Sequence, residues 1–448
     1  MIMEIEAFEK LVLKKAEAAG FEDCEIYYQG ADSFSIALNE TELKQYEKSS
    51  SSGAAFRGII NGRTGLAYTE RLDEKSAEFI VKSALDNASI AEEGDGGEFY
   101  SGGEYPELSL YNEELDSVQT SEKIERLKKA ASEAKVYSEN IKSADRSVYA
   151  DERAEVSIMN TRGLNAHYKA NSAVAFVSVI AEKDGDIKTG GEFFVGNKFD
   201  DFKPEELGRA AAKEADSMLG AKTVKSGVYN VVFKNTAMAS ILSTFSDSFM
   251  GETVYQGLSM LKGMEDKKVA ADCVSIRDDA LLENGYASAV FDGEGVPCEN
   301  TAVVENGVLK TFLYDLRYGE KLGKKSTGNG FRYGYKSPVV CACTNFYICP
   351  SETEFEDIIK QAGNGIYITD VEGLHAGANP VTGDFSLSAE GFLIEDGKLT
   401  TPVEQITAAS NFFKLLKGIT AVGSDLRFNS DGTGSPAVFA ENISISGS

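Results

Sequence analysis

Histidine and cysteine, the residues that supply imidazole and thiolate ligands, are scarce in this chain, which has two histidines and six cysteines among 448 residues. His167 and His375 are far apart in sequence, and neither has a second ligand at helical spacing. Cys341 and Cys343 alternate on a predicted strand, and Cys349 follows shortly after. A metal site built from these cysteines and His375 is one alternative. The favoured interpretation is a set of small buried side chains, because a structural zinc usually has four clear ligands.

Residues 373–386, GLHAGANPVTGDFS, are rich in Gly, Asn, Pro and Asp, so backbone chemistry rather than a hydrophobic face should fix the shape of this loop. His375 has two interpretations, as a polar group lining a cavity or as a histidine bonded to its own turn. The residues expected to shape the loop are Gly373, Gly377, Pro380 and Gly383. The candidates for contact with a substrate are His375, Asn379, Thr382, Asp384 and, from another segment, Arg332. For Asn379, Thr382 and Asp384, a positioning role in the turn is favoured over direct contact.

The sequence does not favour a serine hydrolase or a phosphate-binding loop. A serine hydrolase is not favoured, because the chain has no Gly-x-Ser-x-Gly turn and Ser246-Asp247-Ser248 has no histidine nearby in sequence. Residues 323–334, GKKSTGNGFRYG, lack the spacing of a phosphate-binding loop and are better interpreted as a mobile loop. Within and just after it, Arg332, Tyr333 and Tyr335 are hypothesised to face a cavity and grip a peptide backbone.

Composition excludes some classes of function. The chain carries 45 Lys and Arg against 71 Asp and Glu, a formal net charge of −26, which argues against binding the phosphates of nucleic acid. It has no apolar run long enough to span a membrane, so no membrane association is expected. With few cysteines and no basic segment followed by an apolar stretch at its start, the chain is expected in the cytoplasm.

The periodicity predicts an α+β fold of two domains. Residues 1–222 are expected to form a helix-and-sheet domain, and residues 223–448 a β-rich domain of antiparallel strands and hairpins. Turn dipeptides between apolar runs predict three hairpins, at Asn61-Gly62, Asn306-Gly307 and Asp396-Gly397. Helices are predicted over residues 5–19, 73–91, 121–140, 204–219 and 236–249.

Four ordered stretches resemble the TldD/TldE proteins, also called the PmbA or "modulator of DNA gyrase" family, which are bacterial and archaeal metallopeptidase subunits. They are FRGIINGRTGLAYT, AVFDGEGVPCENTAVVENGVLKTFLYD, GLHAGANPVTGDFS and VEQITAASNFFKLLKGITAVGSD. The resemblance implies a two-domain subunit that pairs with a second subunit of the same fold around an enclosed peptide-cleaving cavity.

The resemblance also implies a branch of the family. In the TldD branch, a helix early in the C-terminal domain carries His-Glu-x-x-x-His, with two zinc-binding imidazoles and a glutamate as general base. The corresponding residues 235–263 have no histidine, so the chain resembles the TldE (PmbA) branch. We therefore expect no metal on this chain, zinc in a TldD-like partner, and unfolded or short peptides as substrates. The alternatives are a homodimeric peptide-binding or assembly module, and a peptidase in its own right.

Overall fold

The computed structural model describes residues 3–92 and 97–447, and the first half of the chain builds one six-stranded sheet. In chain order the strands are β1 (Asp23–Asn39), β2 (Glu42–Ile60), β3 (Arg63–Thr69), β4 (Ile141–Asn160), β5 (Asn165–Lys183) and β6 (Asp186–Gly196). Across the sheet the order is β3-β2-β1-β4-β5-β6, and every neighbouring pair is antiparallel.

The helices of this half cover one face of the sheet. They are α1 (Ile5–Ala18), α2 (Glu74–Ile90), α3 (Glu113–Ser117), α4 (Thr120–Lys135) and α5 (Pro204–Ser217), with a 3-10 turn at Phe199–Asp201. Apolar side chains at helical spacing on α1 and α2 pack on the start of β1, and those of α4 and α5 form a second core over β4 and β5. The predicted helix over residues 121–140 ends earlier than expected. After Lys135 the chain turns back, and the side chains of Ser138 and Asn140 both donate to Asp216.

The second half of the chain is β-rich. Its strands are β7 (Gly227–Phe233), β8 (Ile276–Asp279), β9 (Asn300–Glu305), β10 (Val308–Leu309), β11 (Gly330–Phe331), β12 (Val340–Cys341), β13 (Phe346–Ile348), β14 (Gly365–Glu372), β15 (Asp384–Glu395), β16 (Lys398–Asn411), β17 (Ile419–Val422), β18 (Arg427–Phe428), β19 (Thr433–Ser435) and β20 (Val438–Ser446). Its helices are α6 (Asn235–Phe245), α7 (Gly251–Tyr255), α8 (Leu316–Leu322), α9 (Phe355–Ala362), α10 (Leu374–Gly377) and α11 (Phe412–Gly418), with a 3-10 turn at Ser246–Phe249.

These strands form two six-stranded sheets, ordered β10-β9-β8-β13-β19-β18 and β16-β15-β14-β7-β20-β17, and a two-stranded pair, β11-β12. Most pairings are antiparallel, whereas β7 with β14 and β13 with β19 are parallel. The predicted α+β class with a β-rich C-terminal half is confirmed. The division after residue 222, which lies between α5 and β7, stays a prediction.

The three predicted hairpin turns are confirmed. Asn61, Asn306 and Asp396 each have a positive φ, near 50°, and each is followed by a glycine with φ between 69° and 78°. Two consecutive left-handed residues match the right-handed twist of the flanking strands, which is why Asn-Gly and Asp-Gly are favoured there.

Helix α6 is the centre of the second half. Its apolar residues, including Met238, Leu242 and Phe245, are fully buried in one core with side chains from both large sheets. The polar side chains of α6, including Thr236, Ser240 and Ser243, are half-buried on its other face, and the chain after α6 continues through the 3-10 turn into α7. Within the described ranges, no helix is long and apolar enough to cross a membrane.

The sheet face opposite the helices of the first half packs against the second half. Tyr27, Ile158 and Ala166 form an apolar cluster there with Phe291, and the ring of Tyr168 lies edge-on to Phe291 at a centroid distance of 4.9 Å. This contact joins the two halves at the segment that contains Phe291, which also leads to the site described below.

A close helix–helix contact gives a test of the packing. A Cβ added at Gly208 in α5 would lie 2.1 Å from the carbonyl oxygen of Ala130 in α4. Gly208→Ala should therefore lower the free energy of unfolding by about 1–3 kcal/mol, although alanine is the better helix former. Urea unfolding followed by circular dichroism measures this change.

The matched control for this prediction is Gly334→Ala, where a Cβ would meet no atom within 4 Å. That variant should unfold within about 0.5 kcal/mol of the parent chain. Equal stability of the two variants would contradict the close contact between α4 and α5.

Candidate active-site cavity

The segment after α6 surrounds a cavity of about 410 Å³, which we call the loop–helix cavity. Its walls come from three parts of the chain: the 3-10 turn after α6 together with α7 and the residues just after it, the segment from Tyr333 to β12, and the tip of the loop at residues 373–386. The lining residues are Asp247, Ser248, Met250, Glu252, Thr253, Gln256, Leu258, Tyr333, Val340, Cys341, Pro380 and Val381. The cavity thus joins the helix and the loop that the sequence singled out.

Hydrogen bonds within the loop fix its shape. The side-chain oxygen of Asn379 accepts from the backbone N–H groups of Val381 and Thr382, at 3.0 and 3.2 Å, and its carbonyl accepts from Gly383. Gly383 has a φ of +82°, and a Cβ there would also lie 2.7 Å from the ring of Phe413. As a result Pro380 and Val381 form the tip that faces the cavity, whereas Asn379, Thr382 and Asp384 are exposed and are not among its lining residues.

Asn411, at the end of β16, braces this loop from outside. Its side-chain nitrogen donates to the carbonyl of Thr382 at 2.8 Å and to the carboxylate of Asp384 at 2.9 Å. Its side-chain oxygen accepts from the first N–H groups of α11, and so caps that helix. Sequence reasoning missed Asn411, although Asn before an apolar helix is a recognisable cap signal.

His375 lies away from the cavity. It is exposed in the short helix α10, which follows Gly373 with φ +80°. Gly377 closes this turn by donating to the carbonyl of Gly373 at 2.7 Å, and a Cβ at Gly377 would lie 2.3 Å from the carbonyl of Ser386. Thus Gly373 and Gly377 lie where the turn requires glycine, and His375 does not line the loop–helix cavity.

Arg332 is buried between the two halves instead of facing the cavity. Its guanidinium donates to the carbonyl of Gly293 at 2.9 Å, lies 3.4 Å from the carboxylate of Glu25, and stacks over the ring of Tyr27. Arg57 reaches the same carboxylate from the first sheet, at 3.5 Å. Glu25 is therefore shared by two buried guanidiniums, and Arg332 holds its segment against the first half of the chain.

The two tyrosines beside Arg332 have different positions. Tyr333 is 84% exposed and lines the loop–helix cavity, as the sequence suggested for this segment. Tyr335 packs on the first sheet, where a Cβ at Gly53 would lie 2.4 Å from its ring, and its hydroxyl donates to Glu70. Tyr333 therefore lies at the cavity, whereas Arg332 and Tyr335 hold the same segment against the first half of the chain.

Residues 291–297, FDGEGVP, contain two buried carboxylates, Asp292 and Glu294. Asp292 accepts backbone N–H groups from Glu294, Val296 and Gly330, at 2.8–3.0 Å. Glu294 accepts from the N–H of Leu316 at 2.8 Å, at the start of α8. Burial raises the pKa of both carboxyls above the usual range, and the charge of Asp292 raises that of Glu294 further.

A chain of contacts leads from Glu294 to the cavity through α8. Asp315 caps α8 by accepting from the N–H of Tyr318 at 2.7 Å. The hydroxyl of Tyr318 then donates to the Glu252 carboxylate at 2.9 Å, and Gln256 donates to the same oxygen at 3.1 Å. The buried FDGEGVP stretch therefore positions Glu252, a cavity residue for which the sequence predicted no role.

Family models of the PmbA/TldA metallopeptidases match three consecutive parts of the chain: domain 1 over residues 24–88, the central domain over 113–219 and the C-terminal domain over 226–447. A solved structure described as a modulator of a DNA gyrase, from Thermotoga maritima, is 33% identical with a TM-score of 0.93, and the match covers 99% of this chain and 100% of that one. The chain belongs to the PmbA/TldD metallopeptidase family.

Relatives from both branches of the family match this chain about equally well. A metalloprotease PmbA homolog of Haemophilus influenzae is 27% identical over 92% of this chain and 90% of its own length. A metalloprotease TldD homolog of Buchnera aphidicola is 26% identical over 94% and 92%. TldE of Thermococcus kodakarensis, 22% identical with a TM-score of 0.91 over 98% of this chain and 100% of that one, shares the fold. Overall similarity therefore does not assign a branch.

The residues around the cavity do not fit the zinc site of the TldD branch. No group of three His, Cys, Asp or Glu side chains among the described residues is placed to hold a metal ion. The cysteine at the cavity, Cys341, donates to the carbonyl of Leu313 at 3.2 Å, and burial raises the pKa of its thiol well above the usual range. Burial likewise raises the pKa values of Cys343 and Cys349.

The buried carboxyl of Glu294 predicts a pH-dependent stability. An unfolded glutamate ionises near pH 4.3, roughly. Because folding raises the pKa of Glu294, its protonated carboxyl contributes fully to the free energy of unfolding below about pH 4. This contribution is lost as the pH rises through the pKa of the folded state. Glu294→Gln, which cannot ionise and keeps an acceptor for Leu316, should therefore gain stability relative to the parent chain between pH 5 and about pH 8.5.

Urea unfolding of both proteins across this pH range measures the effect, with Glu283→Gln, at an exposed glutamate, as the control. A difference between the Glu294→Gln variant and the parent that stays constant with pH would contradict the raised pKa.

Proposed function

We propose that this chain is the non-catalytic subunit of a two-subunit metallopeptidase, in which a TldD-like partner holds zinc and cleaves unfolded peptides. One observation carries the proposal. The segment that carries His-Glu-x-x-x-His in the TldD branch here lines the loop–helix cavity with Asp247, Ser248 and Glu252 and contains no imidazole. Among the described residues, this lining offers no group of ligands for a catalytic zinc.

The character of the cavity supports a peptide as occupant. Its volume falls in the range of about 300–1,000 Å³ that ligand pockets usually have. Apolar walls from Met250, Leu258 and Val381 lie next to the polar side chains of Thr253 and Gln256. An extended peptide bonded through its main chain would be held there with modest dependence on sequence.

Exposed apolar side chains beside the cavity support a second subunit as its cover. Tyr255, Leu258 and Met260 are 47%, 43% and 62% exposed, and they follow one another closely on and after α7. Clustered exposed apolar residues mark interaction surfaces. A TldD-like chain is the proposed partner, and a second copy of this chain would instead give the homodimeric binding module.

Peptide hydrolysis tests the division of roles. An unstructured fluorogenic peptide is incubated with this chain, with the TldD-like protein of the same organism, and with the mixture, each with and without a chelator. We expect chelator-sensitive cleavage that is at least about tenfold faster in the mixture than with either protein alone, because each subunit supplies part of the cavity. Cleavage by this chain alone would overturn the proposal and favour a peptidase in its own right.

Single substitutions test the surface in the same assay. Met260→Asp should abolish the gain in the mixture and the association seen by light scattering, since it places a charge in the apolar contact. The control is Val136→Asp, at a 75% exposed valine after α4, which should leave both unchanged. A mixture in which this chain forms homodimers and never binds the partner would favour the assembly module.

A further inference from the structure

The loop–helix cavity carries negative charge without a matching cation. Asp247 and Glu252 are its acidic lining residues, and no Lys or Arg is among the described residues that line it. Neither carboxylate forms an ion pair with a cation within the described part of the chain, and the Asp247 carboxylate accepts no hydrogen bond from those residues. Burial raises the pKa of Asp247, and the charge of Glu252, which lines the same cavity, raises it further.

Basic side chains near the cavity are engaged elsewhere. Lys321, on α8, lies over the rings of Tyr255 and Tyr318, at 5.2 and 5.6 Å from their centroids. Lys336 pairs with Glu70 on the other side of the segment that carries Tyr333. Neither lysine is therefore paired with a cavity carboxylate in the described part of the chain, which leaves both carboxylates available to a basic group of a bound peptide.

The rest of the lining suits a long aliphatic stem. Met250, Leu258, Val340 and Val381 provide apolar walls, and the largely exposed ring of Tyr333 lies at the same cavity. Lysine and arginine bury their methylene groups along such surfaces while the charged end stays with polar partners. An aromatic ring beside two carboxylates adds a cation–π contact for the same charged end.

We propose that the loop–helix cavity binds a lysine or arginine side chain of the peptide substrate, with the charged end on Asp247 and Glu252 and the stem against the apolar walls. This inference rests on the proposed function, because it takes a peptide to be the occupant. It adds a preference for basic residues. Tyr318 and Gln256 are the positioning residues, since they hold the Glu252 carboxylate from behind.

The test uses three labelled peptides that differ at one position. Each is an unstructured octapeptide of Gly, Ser and Ala with one central lysine, norleucine or glutamate, acetylated and amidated so that no terminal charge competes. Fluorescence anisotropy gives their affinities for the full chain, alone and mixed with the TldD-like protein. We expect the lysine peptide to bind about tenfold more tightly than the norleucine peptide, as one charge-assisted hydrogen bond allows.

Variants separate a specific site from the general attraction of a chain with net charge −26. Asp247→Asn and Glu252→Gln should each remove most of the lysine preference and leave the affinity for the norleucine peptide within about twofold. Glu252→Gln keeps the acceptor for Tyr318, and thermal melting checks that both variants are folded. The control, Glu441→Gln at an exposed site on β20, should keep the full preference.

Each outcome decides the inference. Equal affinity for the lysine and norleucine peptides, the same loss of preference in the Glu441→Gln control, or no binding of any peptide would overturn it. The proposed function fails separately, when hydrolysis by the partner does not depend on this chain. Hydrolysis that depends on this chain and is equally fast for all three peptides would retain the subunit role and reject the basic-residue preference.

Discussion

The two buried carboxylates of the FDGEGVP stretch are the constraint on which the cavity depends. A buried carboxyl group is costly unless it is hydrogen-bonded or protonated. Asp292 and Glu294 meet this demand with backbone N–H groups from three separate segments, which are thereby held at fixed distances. One of these bonds fixes the start of α8, and α8 in turn positions Glu252 through Tyr318. A stretch with no lining residue of its own therefore sets the geometry of a cavity residue.

A second buried charge cluster joins the halves of the chain. Glu25 from the first sheet lies between Arg57 and Arg332, and removing either guanidinium would leave a less compensated charge in the interior. The contacts of Arg332 fix the backbone of this segment. The neighbouring Tyr333 is thereby positioned at the cavity. The orientation of the two halves and the shape of the cavity are thus coupled through one short segment.

Sequence reasoning succeeded where the signal is local. The three turn dipeptides depend on residues a few positions apart, and the structure has all three turns. It failed where the partner is distant: Tyr318 lies 66 residues from Glu252, and Arg332 lies 307 residues from Glu25. Arg332 looked like a cavity residue because it sits in a glycine-rich loop, and composition alone does not reveal a buried partner. The boundaries of α4 were missed for the same reason, since a distant carboxylate holds the turn that follows.

The fold alone does not determine which branch of the family this chain represents. Relatives named PmbA and TldD are 27% and 26% identical to it, so the scaffold is retained in both. In this chain, Asp247 in the 3-10 turn after α6 and Glu252 in α7 line the cavity. Imidazoles there would make a zinc site, whereas Asp247 and Glu252 make an acidic wall. Under the proposed function, this acidic wall would bind part of the peptide, whereas imidazoles in the partner would hold the zinc.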